Sequence, residues 1–232
     1  MEKKLKSWQG WLLFGGTMVV VFVLGMIAAS VNERHAEVTS VMNNKKTEIT
    51  GIEARNDKFE SNYPREYQTW EATADTSFKS LYNGNQAVDV LEARPEMVIL
   101  WAGYAFSKDY STPRGHMHAI EDMRNTLRVG APMTENEGPQ PATCWTCKSP
   151  DVPRMMQAMG VDNFYKGKWA SLGKEIVNPI GCADCHEPEN MNLHISRPAL
   201  IEAFQRQGKD ITKATQQEMR SLVCAQCHVE YY

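Results

Sequence analysis

The chain has 232 residues, 42% of them hydrophobic, which is enough for one sizeable domain or two small ones. Its formal net charge of −3 gives no basic excess, and this argues against nucleic acid as a partner. The mean hydropathy is negative although the N-terminus is strongly apolar. Composition therefore indicates a globular body that is preceded by one hydrophobic segment.

Residues 1–32 are predicted to be a signal peptide or an N-terminal membrane anchor. Three lysines lie within the first six residues, and no charged residue occurs from 7 to 32. A bilayer-spanning helix needs about 20 apolar residues, so this stretch can span. The small residues 28–30 would also suit cleavage of a signal peptide, and both alternatives stay open. Because the basic residues come first, either one places the body in the periplasm or on the outer face of the cytoplasmic membrane.

Residues 33–61 are polar and charged and are predicted to be a linker, and residues 62–232 form the predicted globular domain. A helix is predicted over 116–128, where apolar residues recur at helical spacing and Gly130 and Pro132 supply the stop. Another is predicted from 196–198 to Gly208, and a third, capped by Thr212, runs into the last cysteine motif.

Two further segments complete the domain. Residues 87–91 look helical until Pro95, and the apolar run 97–101 is expected to be buried. Strand signals are sparse. The fold class predicted from these patterns is mostly α.

All six cysteines fall in three Cys-x-x-Cys pairs. The pairs at 182–186 and 224–228 end in histidine, whereas the pair at 144–148 ends in lysine. A Cys-x-x-Cys-His motif attaches a c-type haem, with the thiols bonded to the porphyrin and the histidine delivered to the iron. A neutral lysine amine can replace that histidine. We therefore predict a multihaem c-type cytochrome fold, with helices and long loops wrapped around covalent haems, one of them chemically different.

The residues predicted to hold the haems are Cys144, Cys147, Lys148, Cys182, Cys185, His186, Cys224, Cys227 and His228. Second ligands must come from elsewhere. His116 and His118 are two residues apart, so on a helix only one of them reaches a given haem. His194 is either a ligand or a polar loop residue, and His35 is expected to be solvated.

The Lys148 haem is the candidate reaction centre. If no protein ligand occupies its far side, its iron is open to a substrate, and the other haems relay electrons to it. The alternative is a multihaem electron-transfer cytochrome without its own catalysis, in which Lys148 is only an unusual ligand.

Other uses of the cysteines fit less well. Two Cys-x-x-Cys pairs can form a structural zinc site, but the gap of roughly forty residues is longer than usual, and the third pair would lack a partner. A disulfide redox pair does not require a histidine after its second cysteine.

Three longer motifs carry a family resemblance. They are Pro-Arg-Gly-His at 113–116, followed by Arg-Asn-Thr-Leu-Arg at 124–128; Cys-Trp-Thr-Cys-Lys-Ser-Pro-Asp at 144–151; and Cys-Ala-Gln-Cys-His-Val-Glu-Tyr-Tyr at 224–232. On these motifs the chain resembles cytochrome c nitrite reductase, the ammonia-forming pentahaem family, from about Tyr63 to the last residue.

The resemblance implies six-electron reduction of nitrite to ammonium at the haem bound by Lys148. It implies that Arg128 and Tyr231 lie over the open iron and that His116 is the second ligand of the third haem. It also implies a calcium ion bound by Glu230 and the backbone carbonyl of Tyr231.

The family also suggests partners. Its members work as homodimers and receive electrons from a quinol-oxidising cytochrome. They carry two further haem motifs beyond the region of resemblance, five haems against three here, so the chain resembles their N-terminal half. We therefore expect that this chain does not reduce nitrite at a physiological rate unless a second chain supplies the rest.

Overall fold

The computed structural model describes residues 6–43, 45–79, 81, 85–104, 107–126 and 140–229. Contacts divide the chain into two compact units, Met1–Lys45 and Lys46–Tyr232. The second unit therefore includes residues 46–61 of the predicted linker. The assignment of 1–32, 33–61 and 62–232 to separate functions stays a prediction.

The first unit contains one long helix, α1, at Ser7–Asn43. Its part Ser7–Ser40 is long and apolar enough to cross a membrane, and its large apolar side chains, such as Trp11 and Phe22, are exposed. These apolar side chains lie around the whole helix and not along one stripe. A helix of this kind suits a membrane or a signal segment better than the surface of a soluble domain.

The second unit is built from short helices. Its α-helices are α2 (Asp57–Glu60), α3 (Pro64–Glu71), α4 (Val90–Ala93), α5 (Ala119–Asn125), α6 (Asp151–Met159), α7 (Val161–Lys166), α8 (Trp169–Leu172), α9 (Cys182–Cys185), α10 (Pro198–Arg206) and α11 (Gln216–His228). The 3₁₀-helices are Ala72–Ala74, Pro95–Ile99, His116–His118, Ala142–Trp145, Gly173–Glu175 and Ile211–Lys213.

Extended pairing is minimal in the described ranges. It consists of three isolated antiparallel bridges, Asp89 with Ser111, Pro141 with Lys168, and His186 with Leu193, without any continuous strand. The prediction of a mostly helical protein is confirmed.

The main apolar core surrounds the first cysteine motif. Trp145, inside that motif, stacks on Trp169 with ring centroids 4.7 Å apart and an interplanar angle of 10°. The Trp145 Nε1–H also donates to the Trp169 carbonyl oxygen at 2.9 Å. The other buried members are Ile120, Ala142, Val152, Met155, Met156, Phe164 and Ile176. The first motif is thus fixed by hydrophobic packing as well as by its backbone turns.

The helix predicted over 116–128 is shorter than expected. It begins as the 3₁₀-helix His116–His118, continues as α5 and ends at Asn125, and Thr126 is extended. The Thr126 hydroxyl donates to Asp109 Oδ2 at 2.9 Å, which draws the chain out of the helix. The predicted stop at 130–132 lies outside the described residues.

Two predictions concern the helices that flank the last motif. The helix α10 begins with Pro198 at its first position, and Gly208 follows its end with a φ of +71°, as expected. The predicted cap Thr212 is wrong, because α11 is capped by Thr215. The Thr215 hydroxyl accepts from the Glu218 N–H at 3.3 Å, and Glu218 Oε2 accepts from the Thr215 N–H at 2.8 Å.

The segment 87–101 also differs from the prediction. Its helix α4 begins only at Val90, because the Asp89 carboxylate accepts from the Leu91 N–H at 2.9 Å and caps it. The expected burial of 97–101 is wrong: Ile99 is 78% exposed and Leu100 is 71% exposed. A 3₁₀-helix turns its successive side chains in three directions, so the whole run cannot face one core.

We predict that Trp145→Ala lowers the free energy of unfolding by about 3–5 kcal/mol, because it removes the stacked ring from the core. Trp145→Phe keeps an aromatic ring and loses the hydrogen bond to Trp169, so it should cost only about 1 kcal/mol. Denaturant unfolding followed by far-ultraviolet circular dichroism measures both variants. Wild-type stability of Trp145→Ala would contradict this view of the core.

Candidate haem-binding site

The first motif consists of two consecutive tight turns. The Cys144 N–H donates to the Pro141 carbonyl oxygen at 3.3 Å, and the Lys148 N–H donates to the Trp145 carbonyl oxygen at 2.9 Å. Lys148 is half-buried, and it forms no ion pair with any residue in the described ranges. The amine that the sequence predicts as an iron ligand is therefore not held by a carboxylate there.

The residues after Lys148 join the first motif to the segment that leads into the second. The Ser149 hydroxyl donates to the Asn178 carbonyl oxygen at 2.6 Å. The buried Asp151 carboxylate accepts from the backbone N–H groups of Val177 and Asn178, each at 2.9 Å. Arg154 also donates to Asp151 at 3.2 Å. The bonds from Ser149, Val177 and Asn178 each join residues more than twenty positions apart, whereas the bond from Arg154 is local. The three long-range bonds therefore set the distance between the first motif and the segment that leads into the second.

The second motif forms the single-turn helix α9. Its Asp184 Oδ2 accepts from the Gly181 N–H at 2.8 Å, and the Cys182 N–H donates to Asn56 Oδ1 at 3.0 Å. Asn56 also donates to the Pro179 carbonyl oxygen at 3.2 Å. A Cβ atom at position 181 would overlap the Asn56 amide, so a glycine is required for this close approach.

His186 is oriented by its backbone surroundings. Its Nδ1–H donates to the Met191 carbonyl oxygen at 2.7 Å. This bond fixes the tautomer, because the carbonyl can only accept, and it leaves the lone pair on Nε2 free for a metal. Met191 has a φ of +59°, a conformation that is uncommon for a residue other than glycine.

The thiols of the second motif lie in a protected environment. Burial, together with the negative charge of the neighbouring Asp184, raises the pKa of Cys182 to about 11 and the pKa of Cys185 to about 12. Both thiols are therefore protonated at neutral pH.

The third motif lies at the end of α11 and meets the first. The Cys227 and Cys147 thiols interact, which lowers the pKa of Cys147 to about 7 and raises that of Cys227. The positive charge of Lys148 also lowers the pKa of Cys147. The helix thus places one thiol of the third motif against one thiol of the first.

The pKa of His116 responds to a residue of the third motif. Although its side chain has an accessible surface, partial burial lowers its pKa, and the positive charge of His228 lowers it further. Lys148 acts in the same direction, whereas Asp184 raises the pKa. His116 is therefore within electrostatic range of both His228 and Lys148.

The other histidines differ in how their rings are held. His118 uses both ring nitrogens, with Nδ1 3.2 Å from Glu121 Oε2 and Nε2 3.1 Å from the Ala74 carbonyl oxygen. His194 has a buried Nδ1 without a hydrogen-bond partner, and its backbone N–H donates to the Cys185 carbonyl oxygen at 3.0 Å. The predicted residues Arg128, Glu230 and Tyr231 lie outside the described residues.

The donor groups fit one porphyrin for each pair of cysteines. No disulfide links the six cysteines, all of which are at least partly accessible, and the hydrogen bond of His186 engages Nδ1 and not Nε2. Within the described ranges, which include all six cysteines, no group of three or more His, Cys, Asp or Glu side chains could hold a metal ion. This arrangement does not fit the tetrahedral set of four ligands that structural zinc takes.

The sequence reasoning missed Arg197, which is fully buried. Its Nε–H donates to the Thr146 carbonyl oxygen at 2.6 Å, and its Nη2 donates to the Ser149 carbonyl oxygen at 2.9 Å. Nη2 also donates to Asp184 Oδ1 at 2.5 Å, as one half of a buried ion pair. The only available signal was an arginine just before the helix-starting Pro198, and that position gives no indication of a long-range partner.

A family model for cytochrome c552 matches residues 55–232. Relatives named cytochrome c-552 are 76% identical in Bacteroides fragilis and in Bacteroides thetaiotaomicron, and 72% identical in Porphyromonas gingivalis. The chain belongs to the cytochrome c552 family. These alignments cover 100% of the chain and 47% of each relative, so the chain spans about half the length of the curated relatives that it matches.

A solved structure supports the same relationship. The catalytic subunit of cytochrome c nitrite reductase from Desulfovibrio desulfuricans, described for its two calcium sites, matches with a TM-score of 0.74 at 32% sequence identity. The match covers 80% of this chain and 42% of that one. The resemblance to the nitrite reductase family and the multihaem cytochrome fold are thereby confirmed. Membership of a c-type cytochrome family implies haem c as the cofactor.

The turn that orients His186 can be tested at Met191. We predict that Met191→Val lowers the free energy of unfolding by about 1–3 kcal/mol, because a β-branched residue is strained at a positive φ. Met191→Asn is the matched control, since asparagine tolerates this conformation, and it should stay within about 0.5 kcal/mol of wild type. Denaturant unfolding measures stability, and peptide mass mapping measures haem at Cys182 and Cys185. Equal behaviour of the two variants would argue against a strained turn.

Proposed function

We propose that this chain binds three covalent c-type haems and supplies the Lys148 haem at which a nitrite reductase converts nitrite to ammonium. The observation that carries the proposal is the lysine at position 148, in a motif whose two companions end in histidine, within a chain of the cytochrome c552 family. The similarity to a cytochrome c nitrite reductase structure supports it.

Each cysteine pair would hold one porphyrin through two thioethers, with Lys148, His186 and His228 as the adjacent nitrogen ligands. When bound, the haems supply redox centres that deliver six electrons to nitrite. The electrostatic effect of His228 on the pKa of His116 supports its assignment as the second ligand of the third haem. The hydrogen bond from His186 to Met191 supports Nε2 as the ligand atom on the second haem.

Two residues would act directly on the substrate. The Arg128 guanidinium is permanently charged and can donate two hydrogen bonds to the nitrite oxygens, which orients the anion and stabilises charge as the N–O bonds break. The Tyr231 hydroxyl would orient the bound nitrogen species or donate a proton to it. Both roles rest on the family resemblance.

Calcium would support this region. Glu230 and the backbone carbonyl of Tyr231 offer hard oxygen ligands, which suit calcium. The related structure from Desulfovibrio desulfuricans is described by two calcium sites, and this supports a calcium site here.

The proposed location is the periplasm or the outer face of the cytoplasmic membrane. The apolar helix α1 would serve as an anchor or as an export signal, and haem attachment to cysteines outside the cytoplasm agrees with this. A quinol-oxidising cytochrome would deliver electrons, and the protein would form a homodimer. These partners follow from the family resemblance.

The first test measures haem content and ligand binding. The chain should be expressed with maturation machinery that accepts the lysine-bearing motif. We expect three haems per chain by pyridine haemochrome assay, and one high-spin haem whose spectrum changes with nitrite or cyanide. The double variant Cys144→Ala/Cys147→Ala should retain two haems and lose this response.

Two results would contradict the proposal. Porphyrin missing from Cys144 and Cys147 of the wild-type chain in peptide mass mapping would remove the reaction centre. Three low-spin haems without any response to nitrite would instead support an electron-transfer cytochrome.

The second test addresses the anion. We predict that Arg128→Gln weakens nitrite binding about 10- to 100-fold, because a hydrogen bond to a charged group contributes about 1.5–3 kcal/mol. Arg206→Gln is the control, since Arg206 is 77% exposed and pairs only with the surface residue Glu202 among described residues. Spectroscopic titration of the ferric chain with nitrite measures both. An unchanged affinity in Arg128→Gln would exclude this residue from substrate binding.

A further inference from the structure

Three buried side chains occupy the same position in the three haem motifs. Thr146, Asp184 and Gln226 are each the second of the two residues between the cysteines, and each is at most 9% exposed. In all three motifs this residue interacts with one segment, Ser196–Arg197, that belongs to none of the motifs. A shared contact of this kind cannot arise from the local geometry of three different turns.

Arg197 makes the contacts with the first and second motifs. Its guanidinium donates to the carbonyl oxygens of Thr146 and Ser149, which bracket Cys147 and Lys148. The two bonds therefore hold both ends of the short segment that carries the lysine. The same guanidinium forms the buried ion pair with Asp184 of the second motif.

Gln226 makes the contact with the third motif. Its Oε1 accepts from the backbone N–H groups of Ser196 at 2.9 Å and Arg197 at 3.1 Å. Its Nε2 donates to the Asp184 carbonyl oxygen at 2.8 Å, and so does the Ser196 hydroxyl at 2.7 Å. The helix α11 is thereby tied to α9 and to the start of α10.

Arginine has the properties that this position demands. Its planar fork donates to acceptors in several directions at once, whereas a lysine presents a single point charge. A fully buried cation also needs a compensating anion, and Asp184 supplies it with only 3% of its side chain exposed. The charge pair therefore belongs to the link between motifs and not to the surface.

We propose that Arg197, paired with Asp184, is the positioning residue that fixes the three haem-binding motifs relative to one another and sets the segment carrying Lys148. The proposal rests on the haem attachment of the proposed function, but not on nitrite reduction. While the ion pair is intact, its two charges cancel, and it adds no net charge beside the neighbouring haems. Removal of the carboxylate charge leaves a buried cation, which favours the addition of electrons and raises the midpoint potentials nearby.

Two variants separate charge from position. Asp184→Asn keeps the shape and removes the negative charge, so we expect higher midpoint potentials for the haems on Cys144/Cys147 and Cys182/Cys185. Arg197→Lys keeps the positive charge but loses the planar guanidinium that donates to several acceptors at once. We therefore expect a changed spectrum of the Lys148 haem, with smaller shifts in midpoint potential than in Asp184→Asn. Spectroelectrochemical titration and electron paramagnetic resonance measure these effects, and peptide mass mapping gives haem occupancy for each motif.

Matched controls lie on the helix α10. Arg206 and Glu202 form an exposed ion pair there, 77% and 60% exposed, and neither makes a hydrogen bond or ion pair with a motif residue in the described ranges. Arg206→Lys and Glu202→Gln repeat the same chemical changes and should leave haem occupancy, spectra and potentials unchanged.

The decisive comparison is whether one variant affects more than its own motif. An effect of Asp184→Asn confined to the haem on Cys182/Cys185, with no effect of Arg197→Lys at Cys144/Cys147, would reduce Asp184 to a local helix cap and overturn the proposal.

If both variants fail to bind haem, the milder Ser196→Ala decides, because it keeps the ion pair and removes only hydroxyl contacts. It should bind three haems and alter the spectrum of more than one, and wild-type spectra would overturn the proposal.

The outcomes also separate this inference from the proposed function. Absence of haem from the wild-type chain would refute the proposed function. Wild-type haem content with unchanged potentials and spectra in Asp184→Asn and Arg197→Lys would refute the positioning role alone.

Discussion

The structure depends on a buried ion pair, Arg197 with Asp184, at the point where three haem motifs meet. Removing one partner of such a pair typically costs about 3–5 kcal/mol, because the other charge is left buried and unpaired. The motifs themselves lie in unlike elements: a 3₁₀ turn, the single-turn helix α9 and the end of α11. They share no local scaffold, and Arg197 contacts a residue of each of them: Thr146 and Asp184 through its guanidinium, and Gln226 through its backbone N–H.

The first two motifs are held in different ways, one by apolar packing and the other by hydrogen bonds. The first motif is anchored in the core through Trp145, whereas the second is held by the hydrogen bond that its Cys182 N–H donates to Asn56 and by the bond within its own capping turn. Each short helix buries little continuous apolar surface. Hydrogen bonds between loops therefore contribute more to fixing the positions of these elements. Asp151 serves the same end with its bonds to the segment before the second motif.

The sequence predicted the features that depend on local chemistry. The cysteine motifs, the start of α10 at Pro198 and its end near Gly208 are local signals, and reasoning from the residues found them. The errors at 97–101 and at the cap of α11 have local causes as well: the first segment begins in a 3₁₀-helix, and Thr215 forms a capping box with Glu218. Arg197 is different, because its partners lie up to fifty-one residues away and no spacing rule encodes them.

The histidines show how the backbone narrows the choice of iron ligands. His118 was as good a candidate as His116 by sequence, yet its two nitrogens already face Glu121 and a carbonyl oxygen. The hydrogen bond from His186 Nδ1 to the Met191 carbonyl oxygen leaves the lone pair of Nε2 available to a metal. A ring with both nitrogens engaged has to give up one of these hydrogen bonds before it can bind a metal, whereas a ring with one engaged is already oriented for it. On this ground His186 suits the role of an iron ligand better than His118, although the sequence offers both.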